Sequence, residues 1–180
     1  MISQTSDWIK GFPPVISENS RVLILGSMPG VASLEAQAYY AHPRNAFWPI
    51  MSDLLGVDLK APYEVRLQQL LNSGVALWDL FYLCERQGSL DAHIRKGSEQ
   101  INDFQSLFIN YPNISAVFCN GGKAYQTYQR LVYRPMRGAG IEASCLPSTS
   151  PAHARINFEA KRLAWRVILD ALSSTNEKRS

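Results

Sequence analysis

Tyr39, Tyr40, His42, Arg44, Asn45, Phe47 and Trp48 crowd into Tyr39–Trp48, a mixture of rings, cations and an amide that a core has no use for. Aromatic faces hold flat ligands, an imidazole donates or accepts a proton, and a carboxamide does both at once. The stretch follows an apolar run, Val22–Gly26, and a Gly-Ser-Met-Pro-Gly turn, Gly26–Gly30, whose glycines let backbone approach a ligand closely. Three further segments are chemically odd. Asp79 ends an apolar run and leads into Arg86, Gln87, Gly88 and Ser89; Asn120 and Lys123 flank a Gly-Gly pair; Leu146–Ala154 carries Ser148, Thr149, Ser150 and His153, with Arg155 just beyond. Hydroxyls and N–H groups opening a helix suit an anion such as phosphate.

Each feature has a plain structural alternative. Phe47 and Trp48 begin a helix and belong to the core. His42 serves equally as a satisfied structural histidine, and Asp79 as a cap. The 86–89 loop fits phosphate or plain solvent. Asn120 and Ser150 are good N-caps, Ser150 directly ahead of Pro151. The Gly26–Gly30 turn lacks the Gly-x-Gly-x-x-Gly and Gly-Lys-Ser/Thr spacings, so neither a dinucleotide fold nor a P-loop is expected. No Gly-x-Ser-x-Gly elbow supports a serine hydrolase.

The elements that must position these groups are legible. Val22–Gly26, Val75–Leu80, Ala116–Cys119 and Ile141–Leu146 are nearly continuous apolar runs, as strands buried on both faces are. Helical patterns cover Ala46–Leu54, Ala61–Asn72, Asp103–Asn110, Gly122–Tyr133 and Arg155–Leu172, the last with Ile156, Leu163, Val167 and Ile168 at helical spacing. The alternation predicts an α/β fold, a three-layer αβα sandwich on a central four-stranded, mostly parallel sheet. Such sheets bind ligands at the carboxyl ends of their strands. All four odd segments lie just after a strand.

The 180 residues fit a single domain, 1–180, with Ser173–Ser180 a frayed polar tail. A net charge of +3 permits nucleic-acid binding through a local patch without demanding it. Cys84, Cys119 and Cys145 are odd in number and form no Cys-x-x-Cys pair, so no zinc or iron–sulfur site is expected, and a reducing compartment fits. Asp7, Lys10 and two prolines interrupt any signal-like run, and no stretch approaches the ~20 apolar residues of a membrane span. The expectation is a cytoplasmic monomer, nucleoid-associated in a bacterium or archaeon, with no metal, cofactor or membrane partner.

GSMPGVASLEAQAYYAHPRNAFW, together with GVALWDLFYLCERQGSLD and LPSTSPAHA, resembles the uracil-DNA glycosylase superfamily, and within it the hypoxanthine-DNA (deoxyinosine) glycosylase branch. It is also similar to the mismatch-specific uracil/thymine glycosylases, whose pattern reads Gly-x-Asn-Pro-Gly and then Phe-Ala-x-Pro-x-Asn-x-Phe-Trp. The likeness runs from about Val22 to about Trp165. It departs at Met28, which stands where the mismatch-specific enzymes place a water-activating Asn; a thioether neither accepts a proton nor orients a water.

What the resemblance implies is a monofunctional DNA glycosylase of base excision repair. It would hydrolyse the N-glycosidic bond of a deaminated base flipped from double- or single-stranded DNA. The branch puts the catalytic role on Asn45, positioning the water, with His42 and the N–H groups of the Gly26–Gly30 turn stabilising the departing base. Tyr40 falls where the superfamily stacks an aromatic on the base, and Asp79 where family-one enzymes read it. Gly26, Ser27, Met28 and Asn120 complete the base pocket. Ser148, Thr149, Ser150 and Lys123 would hold phosphates, and His153 and Arg155 would flank the vacated stack. Met28 moves the expected substrate from uracil towards hypoxanthine. The alternatives are a uracil or G·T/G·U mismatch glycosylase of the same fold, and a non-catalytic DNA- or nucleotide-binding module.

Overall fold

The computed structural model describes residues 7–174. In chain order the strands are β1 (Trp8–Lys10), β2 (Val22–Gly26), β3 (Val75–Asp79), β4 (Phe81–Glu85), β5 (Gln100–Ile101), β6 (Ala116–Asn120) and β7 (Ala143–Leu146). The helices are α1 (Val31–Ala36), α2 (Phe47–Leu55), α3 (Tyr63–Asn72), α4 (Phe104–Asn110), α5 (Gly122–Tyr128), α6 (Phe158–Trp165) and α7 (Val167–Ser173).

The main sheet has the order β3-β2-β6-β7 and every pairing in it is parallel. The four strands lie on the four apolar runs of the sequence. The physical reason is visible in β2: Val22 and Ile24 face a core with Phe47, Trp48, Met51 and Trp165, while Leu23 and Leu25 face another with Phe104, Ala124 and Tyr128. Side chains alternate between faces, so a sheet covered on both sides has no polar positions to spare. Val15 exchanges two 2.9 Å backbone hydrogen bonds with Leu77 and so covers the outer edge of β3.

The structure departs from the expected elements in four places. A second, antiparallel sheet, β1-β4-β5, stands beside the first around Met28, Phe81, Cys84 and Ile94. The sequence hides β4, because Phe81–Cys84 follows the Val75–Leu80 run with no turn residue between them; the chain breaks at Leu80, whose N–H donates to the Gly26 carbonyl at 2.9 Å. The helix expected over Gly122–Tyr133 is α-helical to Tyr128 and continues as a π-helical turn, Gln129–Tyr133. The last helix begins at Phe158, capped by Asn157 Oδ1 on the Ala160 N–H at 2.9 Å, and breaks at Arg166. Its buried side is Trp165, Ile168 and Leu172, whereas Leu163 and Val167 face solvent. Ser173 closes α7 instead of starting a tail, and the remainder of that tail lies outside the described residues. No helix among the described residues is long and apolar enough to cross a membrane.

Candidate active site

The carboxyl ends of β2, β3, β6 and β7 open into one cavity of ≈ 800 Å³, within the range of small-molecule sites. It gathers Gly26, Ser27, Met28, Tyr40, His42, Asn45, Asp79, Asn120, Lys123, Ser148, Thr149, Ser150 and His153. Arg155 is exposed and does not line it. A smaller cavity of ≈ 410 Å³ lies among Asp7, Glu85, Arg86, Gln87, His93 and Arg95, and of the sequence candidates it holds only Arg86 and Gln87 of the 86–89 loop. Strand β2 pairs with β3 on one side and β6 on the other, so the order reverses between β2 and β6 and the cavity sits at that switch point.

The turn after β2 is clamped by the second sheet. The Ser27 carbonyl accepts the Phe81 N–H at 3.1 Å, and the Pro29 carbonyl accepts from the Arg86 guanidinium. Ser27 Oγ donates to Asp91, and Ser89 Oγ accepts the Val31 N–H at 2.9 Å. The Met28 and Gly30 N–H groups have no acceptor among the described residues. The Met28 side chain is buried with Phe81, Cys84 and Ile94, so at the position where sister enzymes carry an Asn this chain has a core anchor.

Arg86 corrects the picture of a phosphate-binding loop. Its side chain is fully buried, donates to the Gly88 carbonyl at 2.9 Å and lies 3.7 Å from Asp91. It holds the loop down and faces no solvent.

Asp79, at the end of β3, is 4 % exposed, and its Oδ2 has no hydrogen-bond partner. Burial, helped by the nearby Asp91 carboxylate and opposed by Arg86, pushes its carboxyl up to about 7. Asp91 lines the same cavity and is also raised, by burial, against the lowering influence of Ser27, Arg86 and Lys123. Sequence reasoning passes over Asp91, since its pairing with Ser27 depends on β4 folding back over the turn.

Tyr40 lies flat against Phe47, ring centroids 4.0 Å apart and planes 22° off parallel, so one of its faces is already covered. Its backbone φ is +57°, a left-handed conformation that costs a bulky residue ~1–3 kcal/mol. Its hydroxyl is buried and makes no well-formed hydrogen bond; burial and then Asp79 raise its pKa, against the lowering influence of the neighbouring Asn120 amide. His42 Nδ1 accepts the Arg44 N–H at 3.1 Å, which leaves Nε2 to carry the proton of the neutral ring. Asn45 Oδ1 accepts the Phe47 N–H at 2.9 Å, fixing the side chain at the start of α2 with its NH₂ and one oxygen lone pair unspent.

Asn120 is not a helix cap. Gly121 holds that place with φ +101°, while the Asn120 amide donates to Thr149 Oγ1 at 2.8 Å and accepts the Thr149 N–H at 2.9 Å. Thr149 is buried, and its carbonyl accepts the Ala46 N–H at 3.0 Å. This bridge ties β6, the loop after β7 and the start of α2 into one wall. A Cβ on Gly121 would meet Ser148 Cβ at 3.1 Å, so the close approach favours glycine there. Ser150 does not cap α6; its Oγ accepts the Ala152 N–H at 3.3 Å in an exposed turn. Among the described residues no three His, Cys, Asp or Glu side chains are grouped for a metal.

A parallel α/β sandwich with a carboxylate, an amide and an imidazole at its switch point defines a class of ligand-binding fold, and comparison places the chain within it. The uracil DNA glycosylase superfamily model matches residues 13–171, and the chain belongs to that family. It is 38 % identical over 158 residues to a protein named hypoxanthine DNA glycosylase from Methanosarcina barkeri, covering 87 % of this chain and 94 % of that protein. A protein of the same name from Methanosarcina acetivorans is 39 % identical over 161 residues, covering 88 % and 96 %. A solution NMR structure of a candidate uracil DNA glycosylase from Methanosarcina acetivorans superposes with a TM-score of 0.73 at 34 % identity, covering 89 % of this chain and 98 % of that one.

Proposed function

We propose that this chain, as a single domain over 1–180, is a DNA glycosylase that hydrolyses the N-glycosidic bond of deoxyinosine, releasing hypoxanthine. The observation that carries the reading is Asp79. A buried carboxylate with an unpartnered oxygen is costly to keep, and its position on the floor of the cavity calls for a ligand N–H. Hypoxanthine offers one at N1, and uracil offers the same donor at N3, so the choice between them rests on the relatives. Two relatives that match nearly the full chain bear that activity in their names.

Reaching the base requires flipping it out of the duplex, which is easiest for a mispaired base. Water then adds to C1′ as the C1′–N9 bond breaks, and the bonding electron pair leaves with the base. The hydroxyl goes to C1′ and the remaining proton to the base, giving neutral hypoxanthine and an abasic site. Asn45 positions the water through its free amide valences. The His42 Nε2–H and the unpaired N–H groups of Met28 and Gly30 face the negative charge developing on the base. Ser148, Ser150 and Lys123 contact the DNA phosphates, and His153 and the exposed Arg155 flank the vacated stack; buried Thr149 acts by holding that loop to Asn120. No step needs a metal or cofactor.

Asn45→Ala tests the assignment. Single-turnover excision of a deoxyinosine duplex should fall by about 10²-fold or more, the scale of losing one group that acts in the transition state, with thermal unfolding little changed. Unchanged excision removes Asn45 from the mechanism.

A further inference from the structure

Two buried polar atoms line this cavity without a well-formed hydrogen bond to protein: Asp79 Oδ2, and Tyr40 Oη, whose one side-chain hydrogen-bonding neighbour is the Asn120 amide already spent on Thr149. Buried polar groups are almost always satisfied, so a pair of exceptions in one cavity asks for a common explanation. Gly26 relates them. A Cβ built there would lie 2.5 Å from Asp79 Oδ1 and 3.7 Å from Tyr40 Oη, so the carboxylate and the phenol flank the same bare stretch of backbone at the end of β2. Tyr40 is also held in place at some expense. Its left-handed backbone is tolerated, and its ring is clamped on Phe47, which spends one face of the ring and leaves the hydroxyl as the group delivered to the cavity.

Resting on the glycosylase reading above, we propose that Tyr40 Oη and Asp79 Oδ2 act together as a donor–acceptor pair that reads the lactam edge of the flipped base. The Tyr40 hydroxyl donates to the exocyclic carbonyl oxygen, and the Asp79 carboxylate accepts the adjacent ring N–H. Hypoxanthine presents that edge as O6 and N1–H. Adenine presents the reverse, an amino group beside a bare ring nitrogen. The hydroxyl can rotate to accept from the amino group, but above about pH 7, where Asp79 is ionised, the carboxylate has no proton for the ring nitrogen. The pair therefore separates deaminated adenine from adenine by the chemistry of the change itself. Tyr40 specifies through its hydroxyl, beyond any contact its ring makes.

The experiment compares affinity for two duplexes whose target nucleotide carries a 2′-fluorine to slow cleavage. One bears hypoxanthine, the other purine, which lacks the O6 oxygen and the N1 proton. Wild type should bind the hypoxanthine duplex at least about tenfold more tightly, the scale of one hydrogen bond to a well-placed partner. Tyr40→Phe keeps the ring on Phe47 and should remove most of that preference, read as the ratio of the two affinities within the variant. An unchanged preference, or an equal loss on both duplexes, overturns the proposal. Should Tyr40→Phe fail to fold, the wild-type preference decides, and a ratio near one overturns the pair. Excision of plain deoxyinosine is measured alongside. Its absence overturns the glycosylase reading, whereas excision with no preference between the two fluorinated duplexes overturns the pair alone.

Discussion

Replacing Asp79 with Asn should stabilise the protein at pH 8 and cripple it as an enzyme. Burial raises the Asp79 carboxyl from 3.8 to about 7. The folded state thus holds a proton across a window in which the unfolded chain has released it. Because the folded value is the higher one, stability is fully present below pH ~4, is lost as pH rises to about 7, and is flat above that. At ~1.36 kcal/mol for each tenfold change in proton affinity, the loss is ~4 kcal/mol. An amide does not titrate. The difference between the two proteins should therefore move by ~4 kcal/mol in favour of Asp79→Asn between pH 4 and pH 8, carboxylates other than the neighbouring Asp91 cancelling in the subtraction. Urea unfolding of both proteins at several pH values reads this directly. Lost excision alongside gained stability is the trade expected of a strained functional group. A difference that stays constant with pH would refute the reasoning, since it would mean that Asp79 titrates in the folded protein as it does in water.

Met28→Asn restores the residue type that sister enzymes use, but here it would bury an amide among Phe81, Cys84 and Ile94. It should destabilise the fold by ~2 kcal/mol in chemical denaturation and confer no excision of deoxyuridine. Gly26→Ala places a methyl 2.5 Å from Asp79 Oδ1. With the carboxylate boxed in by burial, excision of deoxyinosine should fall at least about tenfold and stability by ~1–3 kcal/mol.

The four parallel strands and the edge at which the site gathers are legible in the sequence because continuous apolar runs and abrupt polar ends are local signals. Asp79 stands at such an end; Asn45 and His42 stand out only by residue type within Tyr39–Trp48, and their proposed roles come from the family resemblance. Long-range pairings are not. Arg86 reads as a solvent-facing cation until β4 folds back and buries it against the Pro29 carbonyl and Asp91. Thr149 reads as a free hydroxyl until Asn120 claims it. The helix after β7 is placed too early because Pro151 imitates a helix start, whereas Asn157 supplies the cap. The unsatisfied atoms of Tyr40 and Asp79 have no sequence signature, since being unpaired is a property of everything around them.

The most direct measurement is single-turnover excision by the wild-type chain on matched duplexes containing deoxyinosine, deoxyuridine, a G·T mismatch or only normal pairs, each treated with alkali to cut abasic sites. The account predicts strand cleavage at deoxyinosine and little or none elsewhere. Cleavage confined to deoxyuridine or the G·T mismatch, with deoxyinosine untouched, would contradict it.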